Sequence, residues 1–399
     1  MGRTGPELGP SDSTRTAAWF WEEVHFGIDS HSAEREGEGN STYIRNLISN
    51  LVTGPGDVIE FSLFAGRPDH AFYRTLPMGG RFSVVRVVQG KGLARVGWSL
   101  ARSAKRARID GLHVQYSAPL GYRGPLVVTV HDLSFLHLPE TIPRGLRMAL
   151  RMLVPWSMRR AARVITASEF SRRDIIARYA IAPEKVVVTP LAAHPRFCPQ
   201  APKDVASALG PYGLQPGFVM SLGRLNRRKN LGRVLEAYAQ IRATRGVKVP
   251  LVIGGKLDYG SREVLRRSKL SETKDSVWFV GLIPDEILPA FYSAASCLLY
   301  PSLFEGFGLP VLEAMACGTP VVTSSRTALP ELVGDAGLLV DPENVEALSQ
   351  AMARILTDQD LREELSRRGI ARSRQFSWVE TARRTLAVYQ ETLRPAVSR

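Results

Sequence analysis

The sequence has no long hydrophobic run, and this absence excludes a typical membrane-spanning helix. Such a helix needs about 18 or more consecutive apolar residues, and no segment of the 399-residue chain approaches that length. The opening residues are also polar, without the apolar stretch of a secretory signal peptide. We therefore expect a protein of the cytoplasm, with residues 1–20 forming a disordered extension.

Cysteine is scarce, and its pattern gives no sign of a metal centre or a disulfide framework. The three cysteines, Cys198, Cys297 and Cys317, are far apart in the chain, which suits a reducing compartment. The sequence Asp-Gln-Asp at 358–360 has the DxD pattern of a metal motif, but it precedes an amphipathic helix instead of following a buried strand. It is therefore predicted to cap that helix, and the sequence predicts no essential metal and no cofactor.

Acidic residues are outnumbered, with 38 Asp and Glu against 52 Lys and Arg, so the net charge is +14. This excess favours anionic partners: a nucleotide, an anionic lipid or a nucleic acid. The segment 144–163 mixes arginine with leucine, methionine and tryptophan. It is either a helix that lies on the inner face of an anionic membrane or an amphipathic helix that packs on a sheet. The sequence has no aromatic or glycine-lined basic platforms, so no nucleic-acid partner is predicted.

Short apolar segments alternate with helical patterns along nearly the whole chain, which indicates an α/β fold with parallel sheets. A stretch rich in proline and glycine divides the segments into two sets, so we predict two Rossmann-like domains in tandem. The predicted strands are 24–28, 58–64, 83–88, 111–115, 126–130, 164–166 and 186–188 in the first set, and 218–221, 250–253, 277–280, 297–300, 321–323 and 338–340 in the second. The predicted boundaries are 1–20 for the extension, 21–195 for the first domain, 196–215 for the linker, 216–375 for the second domain and 376–399 for a final helical segment.

The segment 297–322 carries the strongest functional signal in the chain. Its sequence predicts a strand, a glycine-punctuated turn and a helix at 309–316. Free N–H groups at a helix start form an anion site with the helix dipole, and glycines let a phosphate approach closely. Glu305 and Glu313 stand beside this turn, and sugar hydroxyls are natural partners for such carboxylates. The pattern therefore indicates a ligand with both phosphate and sugar, although a plain helix start with two solvated glutamates, or a glycosidase acid pair, would use the same residues.

The run EGFGLPVLEAMACGTPVV resembles the signature of retaining GT-B glycosyltransferases of family 4. The resemblance implies two Rossmann-like domains that face each other across a cleft, with the final helix packed back on the first domain. It implies that Glu313 holds the ribose hydroxyls of a donor nucleotide. It also implies a set of residues that hold the transferred sugar and the diphosphate, namely Glu305, Gly306, Phe307, Gly308 and Leu309.

A basic loop follows the first predicted strand of the second domain. Two cations at the carboxyl end of a parallel strand suit a diphosphate leaving group, whose negative charge grows as the glycosidic bond breaks. The loop resembles the family's phosphate clamp, which implies that Arg224 and Lys229 stabilise the departing nucleoside diphosphate. The alternative is a solvated basic loop, because Arg227 and Arg228 lie beside them.

The first domain offers weaker signals. His131 follows a wholly apolar strand, where it is either a structural histidine or a site residue. Its VTVHD context resembles the family's active-site histidine, which implies contact with the donor sugar, while Asp132 is predicted only to cap the next turn of the chain. Gly37 and Gly39 resemble the family's loop near donor and acceptor, although residues 40–42 could simply cap a helix. Ser168 is predicted to be a helix N-cap.

Together with these residues, the resemblance implies a retaining glycosyltransferase that moves a hexose from a nucleotide diphosphate sugar to a glycan or lipid-linked saccharide. The second-domain run most resembles bacterial mannosyltransferase-like enzymes of polysaccharide assembly, so GDP-mannose is the expected donor, with UDP-sugars as the alternative. Two other interpretations remain open at this point: a non-catalytic nucleotide-sugar-binding protein of the same fold, and a basic nucleic-acid-binding protein.

Overall fold

The protein folds around two separate parallel sheets. The structure is a computed structural model, and it describes residues 24–37, 39–52, 59–76, 81–87, 98–256 and 273–393. The predicted extension 1–20 lies outside these residues, as do residues 394–399. The prediction of an α/β fold with two Rossmann-like parallel-sheet domains is confirmed.

The first sheet has seven strands in the order β3-β2-β1-β4-β5-β6-β7, and every described pairing is parallel. Most of their residues are buried, because helices cover both faces of such a sheet. The strands are β1 (Val24–Asp29), β2 (Ile59–Ala65), β3 (Phe82–Arg86), β4 (Gly111–Gln115), β5 (Leu126–Thr129), β6 (Arg163–Thr166) and β7 (Val186–Val188).

The second sheet has six strands in the order β10-β9-β8-β11-β12-β13, again with parallel pairings. Each strand is a run of three to five residues, rich in the branched side chains that fit a pleated, buried surface. The strands are β8 (Val219–Leu222), β9 (Leu251–Gly254), β10 (Val277–Gly281), β11 (Cys297–Tyr300), β12 (Val321–Ser324) and β13 (Leu338–Val340).

Helices connect the strands within each sheet. Two of the longer ones begin at residues the sequence marks as caps: Ser168 accepts a hydrogen bond from the Ser171 N–H, and Asp358 accepts one from the Leu361 N–H. Both capping predictions are therefore confirmed. The α-helices are α1 (Gly39–Val52), α2 (Ala71–Arg74), α3 (Leu100–Arg106), α4 (Ser134–His137), α5 (Arg144–Arg160), α6 (Glu169–Tyr179), α7 (Pro202–Leu209), α8 (Leu231–Arg245), α9 (Leu288–Ala294), α10 (Leu309–Ala316), α11 (Leu329–Val333), α12 (Val345–Thr357), α13 (Gln359–Ser373) and α14 (Trp378–Leu393).

The strand order determines which loops lie beside the crevice at the carboxyl end of each sheet. In each sheet the order reverses at the centre, between β1 and β4 in the first and between β8 and β11 in the second. At such a switch point the loops that follow the two central strands diverge to opposite faces and leave a crevice at the carboxyl ends. The loops after β1, β8 and β11 are those that the sequence marks with glycines, cations and carboxylates.

Helix α14 packs on α1 and on the first sheet, although it follows the second sheet in the chain. The Tyr389 ring stacks on Phe26 with ring centroids 4.0 Å apart. Its hydroxyl hydrogen-bonds to Nδ1 of the buried His113 at 2.7 Å, and Nε2 of His113 bonds to the Thr129 hydroxyl at 2.7 Å. This chain of bonds satisfies the polar groups of a buried histidine.

No helix among the described residues is long and apolar enough to cross a bilayer. Cys297 and Cys317 are buried, as expected, and Cys198 is exposed. The described part of the chain also contains no cluster of three His, Cys, Asp or Glu side chains that could hold a metal ion.

Candidate active site

A cleft of about 1310 Å³ lies between the two sheets, and residues from both line it. It holds every candidate site residue inferred from the sequence. Those residues are Gly37, Gly39, His131, Arg224, Lys229, Glu305, Gly306, Phe307, Gly308, Leu309 and Glu313.

Glu305 lines this cleft from the turn that follows β11, and only 6% of its surface is exposed. Its Oε1 accepts hydrogen bonds from the Lys229 ammonium at 2.6 Å and from the Ser302 hydroxyl at 2.6 Å. Its Oε2 lies 3.2 Å from the Arg228 guanidinium. The side chain is therefore fixed by charged partners from the loop after β8, which brings the two predicted motifs together.

These partners keep Glu305 ionised. Burial alone would raise its pKa, but Arg228 and Lys229 outweigh that effect and lower the pKa to about 2. The opposite balance holds at Lys229, where burial lowers the pKa to about 8 against the attraction of Glu305. At neutral pH the pair is a carboxylate and an ammonium, packed beside the Tyr300 ring and hydroxyl.

Arg228 is a site residue that sequence reasoning named only within the alternative of a solvated basic loop, and that alternative does not hold for this residue. Its guanidinium contacts Glu305 and also lies 3.8 Å from Oδ2 of Asp132, which belongs to the loop after β5. Burial alone would lower the pKa of Arg228, but the two carboxylates raise it above its usual value. Arg227 is exposed, as expected of a solvated basic residue. In the sequence the two arginines differ only in that Arg228 is the one next to Lys229.

Asp132 does more than the predicted capping. Its Oδ1 accepts a hydrogen bond from the Ser134 N–H at 2.9 Å, which is the expected cap. Its second oxygen faces Arg228 across the cleft. The first sheet thus contributes a carboxylate to the charge cluster around Glu305.

Arg224 lines the cleft in the loop after β8 and is half-buried. The loop begins at Gly223, whose φ of +136° a side chain would strain. The N–H of Leu225 donates to the Lys256 carbonyl in the neighbouring loop after β9. The two loops therefore form one wall, with Arg224 and Lys256 both facing the cleft.

Glu313 projects from α10 into the same cleft and is 8% exposed. Burial raises its pKa to about 7, because it has no neighbouring cation as close as those of Glu305. The Tyr292 hydroxyl donates to its Oε2 at 3.0 Å. A ligand that brings two hydroxyl donors would stabilise the ionised form of Glu313, because a carboxylate can accept hydrogen bonds from both hydroxyls of a diol.

The glycines of the turn have two different physical roles. Gly308 precedes α10 with a φ of +114°, and a Cβ there would also meet Leu329 at 2.7 Å. At Gly306 a Cβ would collide with the His131 carbonyl and would lie 2.7 Å from Cβ of Asp132. The expected reason for this glycine was the approach of a phosphate, whereas the structure shows that it admits the backbone of the first domain.

His131 lies directly opposite this turn, at the end of β5. Burial lowers its pKa to about 4, although Asp132 opposes the shift, so the ring is neutral at pH 7. Its Nε2 lies 3.0 Å from Oε1 of Gln115, and the edge of the ring meets Tyr43 with centroids 4.7 Å apart. A neutral histidine at this position can exchange hydrogen bonds with a ligand but adds no charge to the cleft.

The remaining predicted residues also line the cleft. Gly37 has a φ of +68°, and a Cβ there would lie 3.1 Å from Leu282 of the second domain. Gly39 has nothing within contact distance of such a Cβ. Phe307 and Leu309 flank the turn, and the Phe307 ring packs edge-on against Phe376 before α14.

Sequence reasoning missed a second contact between the domains. Ser168 caps α6 as predicted, but its hydroxyl also donates to the Gly306 carbonyl at 2.7 Å. The carboxylate of Glu331, on α11, accepts hydrogen bonds from the N–H groups of Glu169 and Phe170 at 2.9 and 3.0 Å. The first turn of α6, in the first domain, is therefore capped by a side chain of the second domain. No local sequence pattern reveals this contact.

Two parallel-sheet domains that enclose such a charged cleft define the GT-B fold of glycosyltransferases. Solved structures support this fold. A sucrose-phosphate synthase from Thermosynechococcus elongatus matches with a TM-score of 0.75 at 22% identity, over 92% of this chain and 98% of that one. HepE from Anabaena, in complex with UDP and glucose, matches with a TM-score of 0.71 at 21% identity, over 92% of this chain and all of that one.

Residues 212–372 match the model of group 1 glycosyl transferases, and residues 38–195 match that of glycosyltransferase family 4. O-antigen chain mannosyltransferase B from Escherichia coli is 35% identical over 66% of this chain and 70% of its own length. An MMP α-(1→4)-mannosyltransferase from Mycolicibacterium hassiacum is 29% identical over 79% and 72%. The serotype-specific mannosyltransferase WbdA from Escherichia coli is 30% identical over 56% of this chain, which spans only 28% of that relative.

The chain belongs to the group 1 glycosyltransferases of family 4. It is a transferase with the GT-B fold, so the family expected from the sequence is confirmed. This assignment replaces the two alternatives left open by the sequence, the non-catalytic sugar-nucleotide binder and the basic nucleic-acid-binding protein.

Proposed function

We propose that this glycosyltransferase moves mannose from GDP-mannose to a glycan or lipid-linked saccharide, with retention of the anomeric configuration. The mannosyltransferases among the relatives support the sugar. The O-antigen chain in the name of one of them supports an acceptor that belongs to a growing polysaccharide. UDP-sugars remain the alternative donors, since HepE was solved with UDP and with UDP-glucose.

The observation that carries the proposal is the buried ionic cluster of Glu305, Lys229 and Arg228 beside the start of α10. The helix start and the cations offer a site for a diphosphate. Glu305, ionised and fixed in position, is placed to accept hydroxyls of the transferred sugar. A diphosphate that arrives beside Lys229 would compete with Glu305 for the ammonium.

The proposed reaction breaks the bond between the anomeric carbon and the diphosphate oxygen and forms one between that carbon and an acceptor oxygen. The acceptor oxygen attacks the face from which the diphosphate leaves, so the configuration is retained and no side chain has to act as nucleophile. The leaving diphosphate takes the acceptor proton. Arg224 and Lys229 stabilise the charge that grows on the leaving group. His131 holds the donor sugar from the opposite wall, and Glu313 holds the ribose hydroxyls. We propose that none of these steps requires a metal ion.

Thermal unfolding with GDP, UDP and ADP at matched concentrations tests the donor site. A nucleotide at 100 times its Kd adds about 2.7 kcal/mol to the free energy of unfolding. We expect GDP to stabilise the wild type and to lose that effect in Glu313→Gln. If no nucleotide stabilises the protein at millimolar concentration, the donor site is wrongly assigned. If UDP alone stabilises the protein, the proposed donor GDP-mannose must be replaced by a UDP-sugar. Nuclear magnetic resonance of the product then reads the anomeric configuration, and inversion would contradict retention.

We also propose that the protein works in the cytoplasm and touches the inner membrane face through α5. The sequence left two alternatives for this helix, packing on a sheet and contact with an anionic membrane, and its two faces are compatible with both. Val154 and Met158 are buried against the first sheet, whereas Met148 and Met152 are 59% and 63% exposed. Exposed arginines on the same helix, such as Arg151, add the charge that anionic lipid attracts.

Sedimentation with vesicles tests this contact. The wild type should bind phosphatidylglycerol vesicles and not phosphatidylcholine vesicles, and a Met148→Ser, Met152→Ser double variant should bind several-fold less, since each buried CH₂ contributes about 0.8 kcal/mol. Leu339→Ser, which removes an exposed apolar side chain from the second domain, is the matched control. Equal binding of all three proteins would contradict the proposal.

A further inference from the structure

Two hydrogen bonds in series lead from His131 into the interior of the first domain. Nε2 of His131 lies 3.0 Å from Oε1 of Gln115, and Nε2 of Gln115 donates to the Ser32 hydroxyl at 2.7 Å. His131 lines the cleft, whereas neither Gln115 nor Ser32 does. The two bonds therefore connect a residue of the candidate active site to side chains that lie behind it.

The fold explains why these three side chains meet. Strands β4 and β5 pair in parallel with Gln115 opposite Thr129, so the end of β4 lies beside the loop that contains His131. Ser32 lies in the short 3-10 helix after β1, and β1 is the other neighbour of β4. The carboxyl ends of parallel strands share one edge of a sheet, which is the edge where ligands bind.

The neighbours of Gln115 fix the direction in which its amide group points. The NH2 group donates to the buried Ser32 hydroxyl, so the carbonyl oxygen is the atom that faces His131. With the amide turned round, Gln115 would donate to the imidazole ring, and Ser32 would have to donate to Gln115. The structure has the first of these two arrangements.

This arrangement determines which ring nitrogen of His131 carries the proton. A carbonyl oxygen can only accept a hydrogen bond, so Nε2 is the protonated nitrogen. The ring is neutral at pH 7, because burial lowers its pKa to about 4 against the opposing effect of Asp132. A neutral imidazole has a single N–H, so its other nitrogen, Nδ1, is an acceptor.

Nδ1 of His131 has no hydrogen-bond partner among the described residues. The ring is packed instead against aromatic side chains, with centroids 4.7 Å from Tyr43 and 5.8 Å from Tyr116. The Tyr43 hydroxyl is engaged with the Thr129 hydroxyl at 3.1 Å. An acceptor that lines a cleft and lacks a protein partner favours a ligand that can donate to it.

We propose that Gln115 is a positioning residue that holds His131 in the tautomer with the proton on Nε2, so that Nδ1 accepts a hydrogen bond from a hydroxyl of the transferred sugar. The other tautomer would present an N–H at this point and would favour an acceptor atom, such as a phosphate oxygen. Gln115 thus sets which kind of group the first domain recognises. The sugar as the partner rests on the proposed function, whereas the tautomer follows from contacts within the protein.

The tautomer can be measured without any ligand by nuclear magnetic resonance of protein labelled with 15N at histidine. Chemical shifts and couplings distinguish a protonated ring nitrogen from an unprotonated one, and the signals that disappear in His131→Asn are those of His131. We expect a protonated Nε2 in the wild type at pH 7. Gln115→Met offers at most a weak acceptor, so the Nδ1–H tautomer should gain a measurable population. A proton on Nδ1 in the wild type, or an unchanged tautomer in Gln115→Met, would overturn the proposal.

Transfer activity tests the same arrangement in a second way. Gln115→Glu keeps an acceptor and removes the donor, so it can support only the tautomer with the proton on Nε2. We expect kcat/KM for GDP-mannose to fall about three- to tenfold in Gln115→Met, as the loss of one hydrogen bond predicts, and to be higher in Gln115→Glu. The reverse order of the two variants would mean that the amide donates to His131, which would overturn the proposal.

Two controls separate positioning from folding. GDP carries no sugar, so its stabilisation of the protein should be the same in the wild type and in both Gln115 variants. Gln200→Met removes an amide that donates to the Cys198 carbonyl at 2.8 Å outside the cleft, and it should change neither the tautomer nor kcat/KM. An equal loss of activity in Gln200→Met would contradict a specific role of Gln115. The proposed function fails separately, by a lack of stabilisation by any nucleotide.

Discussion

The carbonyl oxygen of His131 fills the space that a side chain on Gly306 would need. The two residues belong to different domains, and each is a candidate site residue. The turn that follows β11 therefore lies directly on the end of β5, and the hydroxyl of Ser168 fixes it there through the Gly306 carbonyl. The position of this turn relative to His131 depends on the absence of one methyl group at Gly306.

Gly306→Ala is expected to separate the two domains at this point. A Cβ that meets backbone atoms cannot be relieved by a side-chain rotation, so about 1–3 kcal/mol of stability should be lost. Transfer activity should fall by more than tenfold, because a displacement of about 1 Å in a site is costly. Gly210→Ala is the matched control, since a Cβ there meets nothing within 4 Å. Wild-type activity in Gly306→Ala would show that the contact is not needed.

Glu305→Gln tests the ionic cluster through its pH dependence. The folded pKa of about 2 lies below the usual 4.5, so the carboxylate contributes stability above about pH 4.5, and this contribution is lost as the pH falls toward 2. The variant should be less stable than the wild type by about 3 kcal/mol at pH 7, with a gap that narrows in acid. Chemical unfolding from pH 7 to pH 3 measures it. A constant gap would mean that the charge of Glu305 does not matter.

Glu313→Gln is expected to act in the opposite direction. The folded pKa of about 7 lies above the usual 4.5, so stability that is fully present below pH 4.5 is lost as the pH rises toward 7. Without nucleotide, the variant should therefore be more stable than the wild type by roughly 2–3 kcal/mol at pH 8 and equal to it near pH 4. Melting temperatures at the two pH values decide the question. A variant that is less stable than the wild type at pH 8 would contradict the conclusion that the ionised Glu313 side chain destabilises the protein without nucleotide.

Glu331→Ala should loosen the contact between the domains without touching the charge cluster. The substitution removes the acceptors of two N–H groups at the start of α6, which costs about 1–2 kcal/mol for a helix cap. Glu380→Ala is the control, because the partners of Glu380, Arg383 and Arg384, lie on its own helix, and such exposed pairs contribute little. Comparable losses in thermal unfolding would mean that the cap across the domains has no special role.

The sequence predicts the sheets well, because a buried parallel strand can be identified from a short run of consecutive residues. The strand expected at 58–64 is found at Ile59–Ala65, and the strand expected at 83–88 is Phe82–Arg86, with residues 58 and 88 outside the described part of the chain. A run of branched apolar residues suffices for such predictions. Differences of one or two residues reflect where hydrogen bonding to the neighbouring strand stops.

The contacts between the domains escape such reasoning. Arg227 and Arg228 are adjacent residues of the same type in the sequence. In the structure, the contacts of Arg228 with Glu305 and with Asp132 of the other domain distinguish them. Glu331 looks like an acid at the start of its own helix, yet both of its oxygens bond to residues of α6. Gly306 indicates a close approach, but not by which atoms. These relationships depend on how two sheets face each other, which no local pattern encodes.

The placement of α14 has a consequence for synthesis on the ribosome. Its Tyr389 closes the polar contacts of His113 and covers Phe26 on the first sheet. The first domain emerges early, but this part of its surface stays uncovered until the whole second domain has been translated. The nascent chain exposes this apolar surface during that interval. A chaperone that recognises apolar surface can therefore bind the first sheet until α14 has been made. Translation pauses between β13 and α14 should lower the yield of folded enzyme.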